Sequence, residues 1–467
     1  MMKSFSTCCI LLLLSQTLLS ICSSAFIVIS HSCCRRRRGS FYTNKALYAS
    51  TTTSTSSGGT PSTTRSSNNA IELNPLVTNV KISKTVEVFS LVKQMEANGD
   101  TVTSLCVGEP DFPPPQAVLD ATIHAVKQGL TTYTAVTGTT ALREAIAKDL
   151  QTRKGVTYDP VTQILVGNGA KQCVFQGILA TIGQNDAAII PAPYWPSYPE
   201  MVTLSGGTPI ILETKQEDGY LINPSDLRRL LEQHESTVKL LVLCNPSNPT
   251  GGVHDAKRLQ EIATVLEDFP KVVVLADEIY ERLVYDELHP HVCFASLPNM
   301  MERTITVNGM SKAYAMTGYR LGYLCAPKSI AKACITIQSQ ITSCASSISQ
   351  AAGVAALTLV SEEEMQQNVQ IMKQKRDYVI SQLNQMEGVK LNVVPNGAFY
   401  LLPDVSAFYN GDDTQLCIDL LKKQKLALVP GSSFGAPGTV RLSYATSHEE
   451  LELAMSKLKQ FLADCSP

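Results

Sequence analysis

Between residues 164 and 307 the chain alternates short, almost wholly apolar runs with segments of helical period or loop composition. The runs fall at 164–166, 187–190, 208–212, 240–243, 272–276 and 304–307. Runs of that length with no polar alternation fit strands buried on both faces. Parallel neighbours in such a sheet need crossovers long enough for a helix, and the spacing here provides them. The pattern therefore selects an α/β fold, a large unit whose mostly parallel sheet is flanked by helices. Helical period continues over 335–359 and on to 386. Strands are then expected at 390–394, 399–402, 427–429 and 439–443, with a last helix from His448. That order predicts a second, smaller α+β unit.

Ahead of the alternating region, 74–80 has few helix signals and reads as an extended arm. Helices are predicted over 85–98, 115–128 and 139–154, and a strand over 103–107. The organisation read from these signals is an arm and part of the smaller unit at 71–111, the large unit at 112–372 and the smaller unit at 373–467. No internal repeat and no membrane-spanning stretch stands out.

The first seventy residues differ in composition. They hold Lys3, Arg35, Arg36, Arg37, Arg38, Lys45 and Arg65 and no acidic residue, while the whole chain carries a formal charge of −2. The remainder is thus acidic, which argues against nucleic acid as a partner. Lys3 followed by the apolar stretch 10–21 has the form of a signal-peptide core, with Ser23-Ser24-Ala25 as small residues for cleavage, giving 1–25 as signal peptide. Residues 26–70 are rich in Ser, Thr and Arg and read as a transit peptide or disordered linker. The tandem arrangement, with Phe26 at the junction, is similar to the bipartite presequence of algae with complex plastids. It implies the plastid stroma; secretion or another organelle is the alternative. Of the 14 cysteines, those beyond residue 70 are odd in number, scattered and free of C-x-x-C pairs. Reduced, mostly buried thiols fit this better than disulfides or a metal site, and no metal is expected.

Several segments carry groups suited to chemistry. Lys312, in Asn308-Gly309-Met310-Ser311-Lys312-Ala313-Tyr314, leaves a predicted strand where a side chain can project into a cleft. A partly dehydrated lysine there can attack an aldehyde, and Ser311 and Arg320 suit a phosphate on it. Taken alone, a Ser-Lys pair is ordinarily a solvated surface pair. Gly167-Asn168-Gly169-Ala170-Lys171-Gln172 joins a strand to a helix and points free N–H groups at an anion, or is a plain strand–helix turn. Asp277 ends a strand and is followed by Glu278-Ile279-Tyr280. It faces the crevice where α/β ligands bind, or caps a helix. Asn248, in Ser247-Asn248-Pro249-Thr250-Gly251, follows another strand. Trp195, in Ala192-Pro193-Tyr194-Trp195, offers a ring for stacking or fills core. Arg441 lies within an apolar strand and needs an anion, either a structural carboxylate or a ligand's.

Together and in this order, these runs resemble the fold-type I, class I pyridoxal-phosphate aminotransferases, from about Asn74 to the end. The likeness rests on Gly108-Glu109-Pro110-Asp111-Phe112, Ala192-Pro193-Tyr194-Trp195, Ser247-Asn248-Pro249-Thr250-Gly251, Asp277-Glu278-Ile279-Tyr280, Ala315-Met316-Thr317-Gly318-Tyr319-Arg320-Leu321-Gly322 and Arg441-Leu442-Ser443-Tyr444-Ala445-Thr446-Ser447. It is nearest to the prokaryotic-type aspartate aminotransferases, which include plastid aspartate/prephenate enzymes. The resemblance implies pyridoxal 5'-phosphate as cofactor and Lys312 as the Schiff-base lysine and proton carrier. Asp277 would pair with the pyridine nitrogen, Tyr280 and Asn248 would bond the phenolic oxygen, and Trp195 would stack on the ring. The phosphate would fall to Ala170, Lys171, Ser311 and Arg320, with Tyr133 reaching the partner subunit's phosphate in a homodimer with shared sites. Arg441 would take the substrate α-carboxylate near the Gly108 amide. Lys171, Ser83 and Thr85 would receive the distal carboxylate. Ile82, where the family usually has proline, and Tyr319, where many relatives have tryptophan, depart from the pattern. The implied reaction moves an amino group between aspartate or glutamate and a 2-oxo acid, with prephenate as a further acceptor. Alternatives sharing the fold are a C–S lyase, an aminocyclopropane-carboxylate synthase-like lyase, an aromatic or kynurenine-type aminotransferase, and a non-catalytic descendant.

Overall fold

The computed structural model describes residues 71–465 except Glu72 and Ser83, so the presequence and the Ser83 assignment lie outside the described residues. The segment expected as an extended arm contains one helical turn instead, Pro75–Thr78. Asn74 caps it, its side chain accepting from the Leu76 amide, and Pro75 occupies the first turn, where its missing N–H costs nothing. The arm is tied down by the Lys81 amide donating to Glu200 at 2.9 Å. Helix Lys84–Ala97 follows. The strand expected over 103–107 shortens to Thr103–Ser104 (β1), because the chain turns away toward Gly108.

The central sheet holds β2 (Ile164–Gly167), β3 (Ala187–Ala192), β4 (Thr208–Glu213), β5 (Val238–Cys244), β6 (Val273–Asp277), β7 (Thr304–Gly309) and β8 (Gly322–Cys325), in the order β2-β8-β7-β6-β5-β3-β4. All six strands expected between 164 and 307 are present. The run from β3 to β7 is parallel, and β8 pairs antiparallel with both β2 and β7. β8 was not expected, since its four residues follow a functional loop with no alternation to mark them. Its register places Gly322 opposite both Gly167 and Gly309. A Cβ on Gly322 would lie 2.3 Å from the Ala170 amide nitrogen, and one on Gly309 would lie 2.9 Å from the Gly322 Cα. Glycine at these places lets the loops leaving β2 and β7 emerge side by side. Helix Ala170–Thr181 packs on the sheet through Val174 and Ile178, both fully buried against Leu275 and Ile305.

The C-terminal part contains β9 (Tyr400–Leu401), β10 (Leu426–Ala427), β11 (Val429–Pro430) and β12 (Val440–Ser443), with order β11-β12-β9, while β10 pairs with β1. Helices Glu362–Leu383, Asp413–Gln424 and His448–Ala463 cover them over a core that includes Phe399, Phe408, Leu420 and Phe461. The strand expected at 390–394 is absent. Only Lys390 makes a bridge, to Asp404, and Pro403 beside it has no N–H with which to extend a ladder. The expected helical stretch to residue 386 is three helices, Lys328–Ile341, Ser347–Thr358 and Glu362–Leu383. The nine cysteines beyond residue 70 are all free, and six are buried. Among the described residues, no helix is long and apolar enough to cross a membrane.

Candidate active site

The carboxyl ends of β2, β5, β6 and β7 open on one edge of the sheet, where loops can converge on a ligand without interrupting the ladder. A cavity of about 500 Å³ lies there. Lys312, three residues past β7, projects into it and donates to the Gly108 carbonyl. Dehydration drives its amine well below the ordinary lysine range, to about 8, aided by the Arg441 and Arg320 charges and opposed by Glu109 and Asp277. Lys312 is thus dehydrated, with its amine depressed by burial.

Asp277, the last residue of β6, is 5% exposed and lines the same cavity. Tyr198 donates its hydroxyl to Oδ2 at 2.7 Å, and the Ile279 amide donates to Oδ1 at 3.3 Å. Burial nevertheless pushes its carboxyl up to about 6, against those bonds and the Lys312 charge. A carboxylate so placed calls for a cationic partner from the cavity side, which a protonated ring nitrogen supplies. Tyr280, one turn further on, is buried and lines the cavity, with Lys312 Nζ 6.0 Å from its ring centre.

The loop between β2 and helix Ala170–Thr181 forms an anion cup. Gly169 has φ +89° and caps the helix, whose first N–H groups are unpaired within it. A Cβ on Gly169 would lie 2.5 Å from Nη2 of Arg320, so the guanidinium sits directly over this turn. Arg320 itself is held in the left-handed region, φ 51°, with Nη1 donating to the Thr317 carbonyl at 2.9 Å. Ser311 is buried beside it, and both line the cavity. An unpaired N-terminal turn, a hydroxyl and a guanidinium are a donor set for a phosphate. The residues therefore fit a flat aromatic aldehyde carrying a phosphate.

On the opposite wall Arg441, 2% exposed on β12, donates from Nη2 to the Cys106 carbonyl at 2.7 Å and from Nη1 to Asn248 Oδ1 at 3.1 Å. Its Nε is buried without a partner. Neither acceptor is a carboxylate, so the charge is left to be neutralised from the cavity. Lys171 reaches over Trp195, its Nζ 5.1 Å from the ring centre, and its amine is lowered by burial and by Arg320. Trp195 meets Tyr198 edge-on, with ring centres 5.2 Å apart. Thr85 lines the cavity from helix Lys84–Ala97, and its hydroxyl is buried without a partner.

Of the residues singled out from sequence, Thr85, Gly108, Ala170, Lys171, Trp195, Asn248, Asp277, Tyr280, Ser311, Lys312, Arg320 and Arg441 line this one cavity. Tyr133 does not. It is 89% exposed on the loop before helix Thr140–Lys154, and its expected place was the partner subunit's site. Seven liners went unassigned: Glu109, Tyr198, Cys244, Ile279, Thr317, Gly318 and Tyr400. Tyr198 lies three residues past Trp195, but nothing in the sequence links it to Asp277, 79 positions away. Tyr400 sat in the strand expected at 399–402, where nothing in the sequence singled it out.

A family model described as aminotransferase class I and II matches residues 100–458. An aspartate aminotransferase of Pinus pinaster is 46% identical over 405 residues, covering 84% of this chain and 81% of that protein. A bifunctional aspartate aminotransferase and glutamate/aspartate-prephenate aminotransferase of Petunia hybrida is 44% identical over 408 residues, covering 85% and 84%. Among solved structures, the aspartate aminotransferase from Rhizobium meliloti has a TM-score of 0.80 at 35% identity, spanning 85% of this chain and 100% of that one.

Proposed function

The chain belongs to the aminotransferase class I and II family, and on that premise we propose that it moves an amino group between aspartate or glutamate and a 2-oxo acid, with prephenate as a further acceptor. The cofactor is pyridoxal 5'-phosphate, which when bound supplies an electron sink for the pair released at the substrate α-carbon. Lys312 is the group that carries the proton, because its amine, depressed to about 8, can both accept and return one near neutral pH. Asp277 holds a proton on the pyridine nitrogen by offering it a buried carboxylate. Asn248 and Tyr280 donate to the phenolic oxygen, and the cup of Gly169, Ala170, Ser311 and Arg320 anchors the phosphate. Arg441 orients the substrate through its α-carboxylate.

The observation that carries the proposal is Arg441 itself, buried with an orphaned Nε and no acidic partner, on the wall of the cavity that holds Lys312. Preference for a second carboxylate falls to Lys171 and Thr85, two donors without an acidic partner on one side of the cavity, with Ser83 as a further candidate. The name of the Petunia relative supports prephenate as an acceptor, since 44% identity spans the whole site region. The test is purified protein with pyridoxal phosphate and glutamate, offered oxaloacetate or prephenate, with aspartate and arogenate followed by mass. Product from both acceptors supports the dual reading, and product from oxaloacetate alone removes prephenate. Pyruvate and ammonia from a sulfur amino acid without an acceptor would favour a lyase. Lys171→Ala should weaken dicarboxylate substrates about 10- to 100-fold while sparing neutral ones, as expected for a lost charged hydrogen bond. Equal losses would remove its specificity role.

We also propose a homodimer in which Tyr133 completes the neighbouring site. The exposed Tyr133 ring and the apolar arm residues Ile71, Leu73 and Val77, all more than half exposed, support it. Light scattering at twice the chain mass, with loss of phosphate affinity in Tyr133→Phe, is the expected result. Residues 1–70 lead the enzyme to the plastid stroma in this reading. Two bacterial relatives covered over 98% and 99% of their length match only 83% and 84% of this chain, which supports an added targeting segment. A fluorescent fusion of that segment should enter plastids.

A further inference from the structure

Tyr400 touches three parts of the site at once. Its hydroxyl lies 2.9 Å from that of Tyr280. The guanidinium of Arg441 sits over its ring, 4.5 Å from the centre. Its hydroxyl also presses on Gly108, where an added Cβ would lie 2.1 Å away, and Gly108 supplies the carbonyl to which Lys312 donates. The backbone fixes these contacts, since Tyr400 on β9 pairs with Ser443 on β12, two residues beyond Arg441.

We propose that Tyr400 is a positioning residue: its hydroxyl donates to Tyr280, turning the Tyr280 proton into the cavity, while its ring carries Arg441 at the angle that receives a carboxylate. A phenol has one proton to give and lone pairs to accept with. If Tyr280 is to donate toward an oxyanion in the cavity, its contact with Tyr400 must run from Tyr400 to Tyr280. Arg441 favours that direction, because a cation over the Tyr400 ring makes its hydroxyl the stronger donor. A carboxylate arriving at Arg441 neutralises that cation, so substrate occupancy is felt at Tyr280 through one side chain. The other titratable groups near the hydroxyl pair are Lys312, over the Tyr280 ring, and Cys244, whose thiol burial holds protonated. Asp277 lies beyond Tyr198 and bonds neither hydroxyl.

The inference rests on the proposed function, in which Tyr280 faces the cofactor's phenolic oxygen. Its test is a pH titration of the visible absorbance of the cofactor-loaded full chain. Tyr400→Phe removes one neutral hydrogen bond and should move the midpoint upward by about half a pH unit, because weaker donation from Tyr280 favours the protonated chromophore. In a Tyr280→Phe background the same change should add nothing, a non-additivity that a merely structural role would not produce. 3-Fluorotyrosine at position 400 keeps the shape and strengthens the donor, so the midpoint should move downward; this readout stands even if Tyr400→Phe folds poorly. An unmoved midpoint, or equal shifts with and without the Tyr280 hydroxyl, overturns the inference. A wild-type chain that takes up no cofactor would instead overturn the proposed function.

Discussion

Asn248 and Arg441, 193 positions apart, meet in one hydrogen bond of 3.1 Å in which the amide oxygen accepts from Nη1. Arginine has only donors, so the Asn248 carbonyl must face it, which leaves the NH₂ group free for another partner. One contact thereby orients two groups of the cavity wall, those proposed for a phenolic oxygen and for a carboxylate. Arg441→Lys should lose this arrangement, since a single ammonium cannot serve Asn248, the Cys106 carbonyl and a substrate carboxylate in fork geometry. The expected result is a fall of about 10²- to 10³-fold in kcat/KM for every α-amino acid, with cofactor affinity kept. Steady-state kinetics beside a cofactor-binding titration checks it.

Lys312→Ala should reduce turnover by roughly four orders of magnitude while leaving a folded protein that still holds the cofactor by its phosphate and ring contacts. In the cofactor-free wild type, capture of added pyridoxal phosphate should quicken as the pH climbs toward about 8, where the buried amine loses its proton, and level off above. Stopped-flow absorbance reads both, and a capture rate still climbing at pH 10 would contradict the depressed amine.

Asp277 gives a pH prediction of definite sign. Burial raises its carboxyl from 3.8 to about 6, so between those values the folded, cofactor-free chain binds more protons than the unfolded one. The Asp277 contribution to stability must then fall as the pH rises from about 4 to about 6 and stay level above, because the ionised carboxylate is the form that burial disfavours. Asp277→Asn lacks this titration. Without cofactor the variant should therefore gain melting temperature relative to wild type across that window, as scanning fluorimetry at several pH values would record. With cofactor bound the order should reverse, since the variant has no charge to offer the ring nitrogen.

Gly322→Ala places a methyl group 2.3 Å from the Ala170 amide, which is backbone and cannot swing aside. The loop carrying Gly169 and Ala170 must shift, at a cost of about 1–3 kcal/mol in stability, and the phosphate cup must loosen with it. A lowered melting temperature together with weaker cofactor retention on dialysis is expected. A loss of stability with unchanged retention would mean that the cup does not depend on this approach.

The sequence by itself determined the parts whose signal is local. Six strands announced themselves by almost wholly apolar runs, Lys312 and Asp277 by standing at or beyond the ends of such runs, and Arg441 by standing inside an apolar strand, where a charged group has to face a ligand or a partner. Motif order supplied the family. Tertiary structure alone decided what depends on register and on distant pairs. β8 is four residues long and carries no periodic signal, yet by lying between β2 and β7 it sets the Gly169–Ala170 turn against Gly322 and Arg320. Tyr198 and Tyr400 drew no assignment from the sequence, and their hydroxyls meet Asp277 and Tyr280, 79 and 120 positions away, only because the fold sets them there. The helical turn at Pro75–Thr78 went unread although its Asn74 cap and Pro75 are local signals, whereas the lost strand at 390–394 depended on a neighbour with an N–H to give. Hydrophobic period is a property of a segment, whereas a hydrogen bond between side chains is a property of the folded chain.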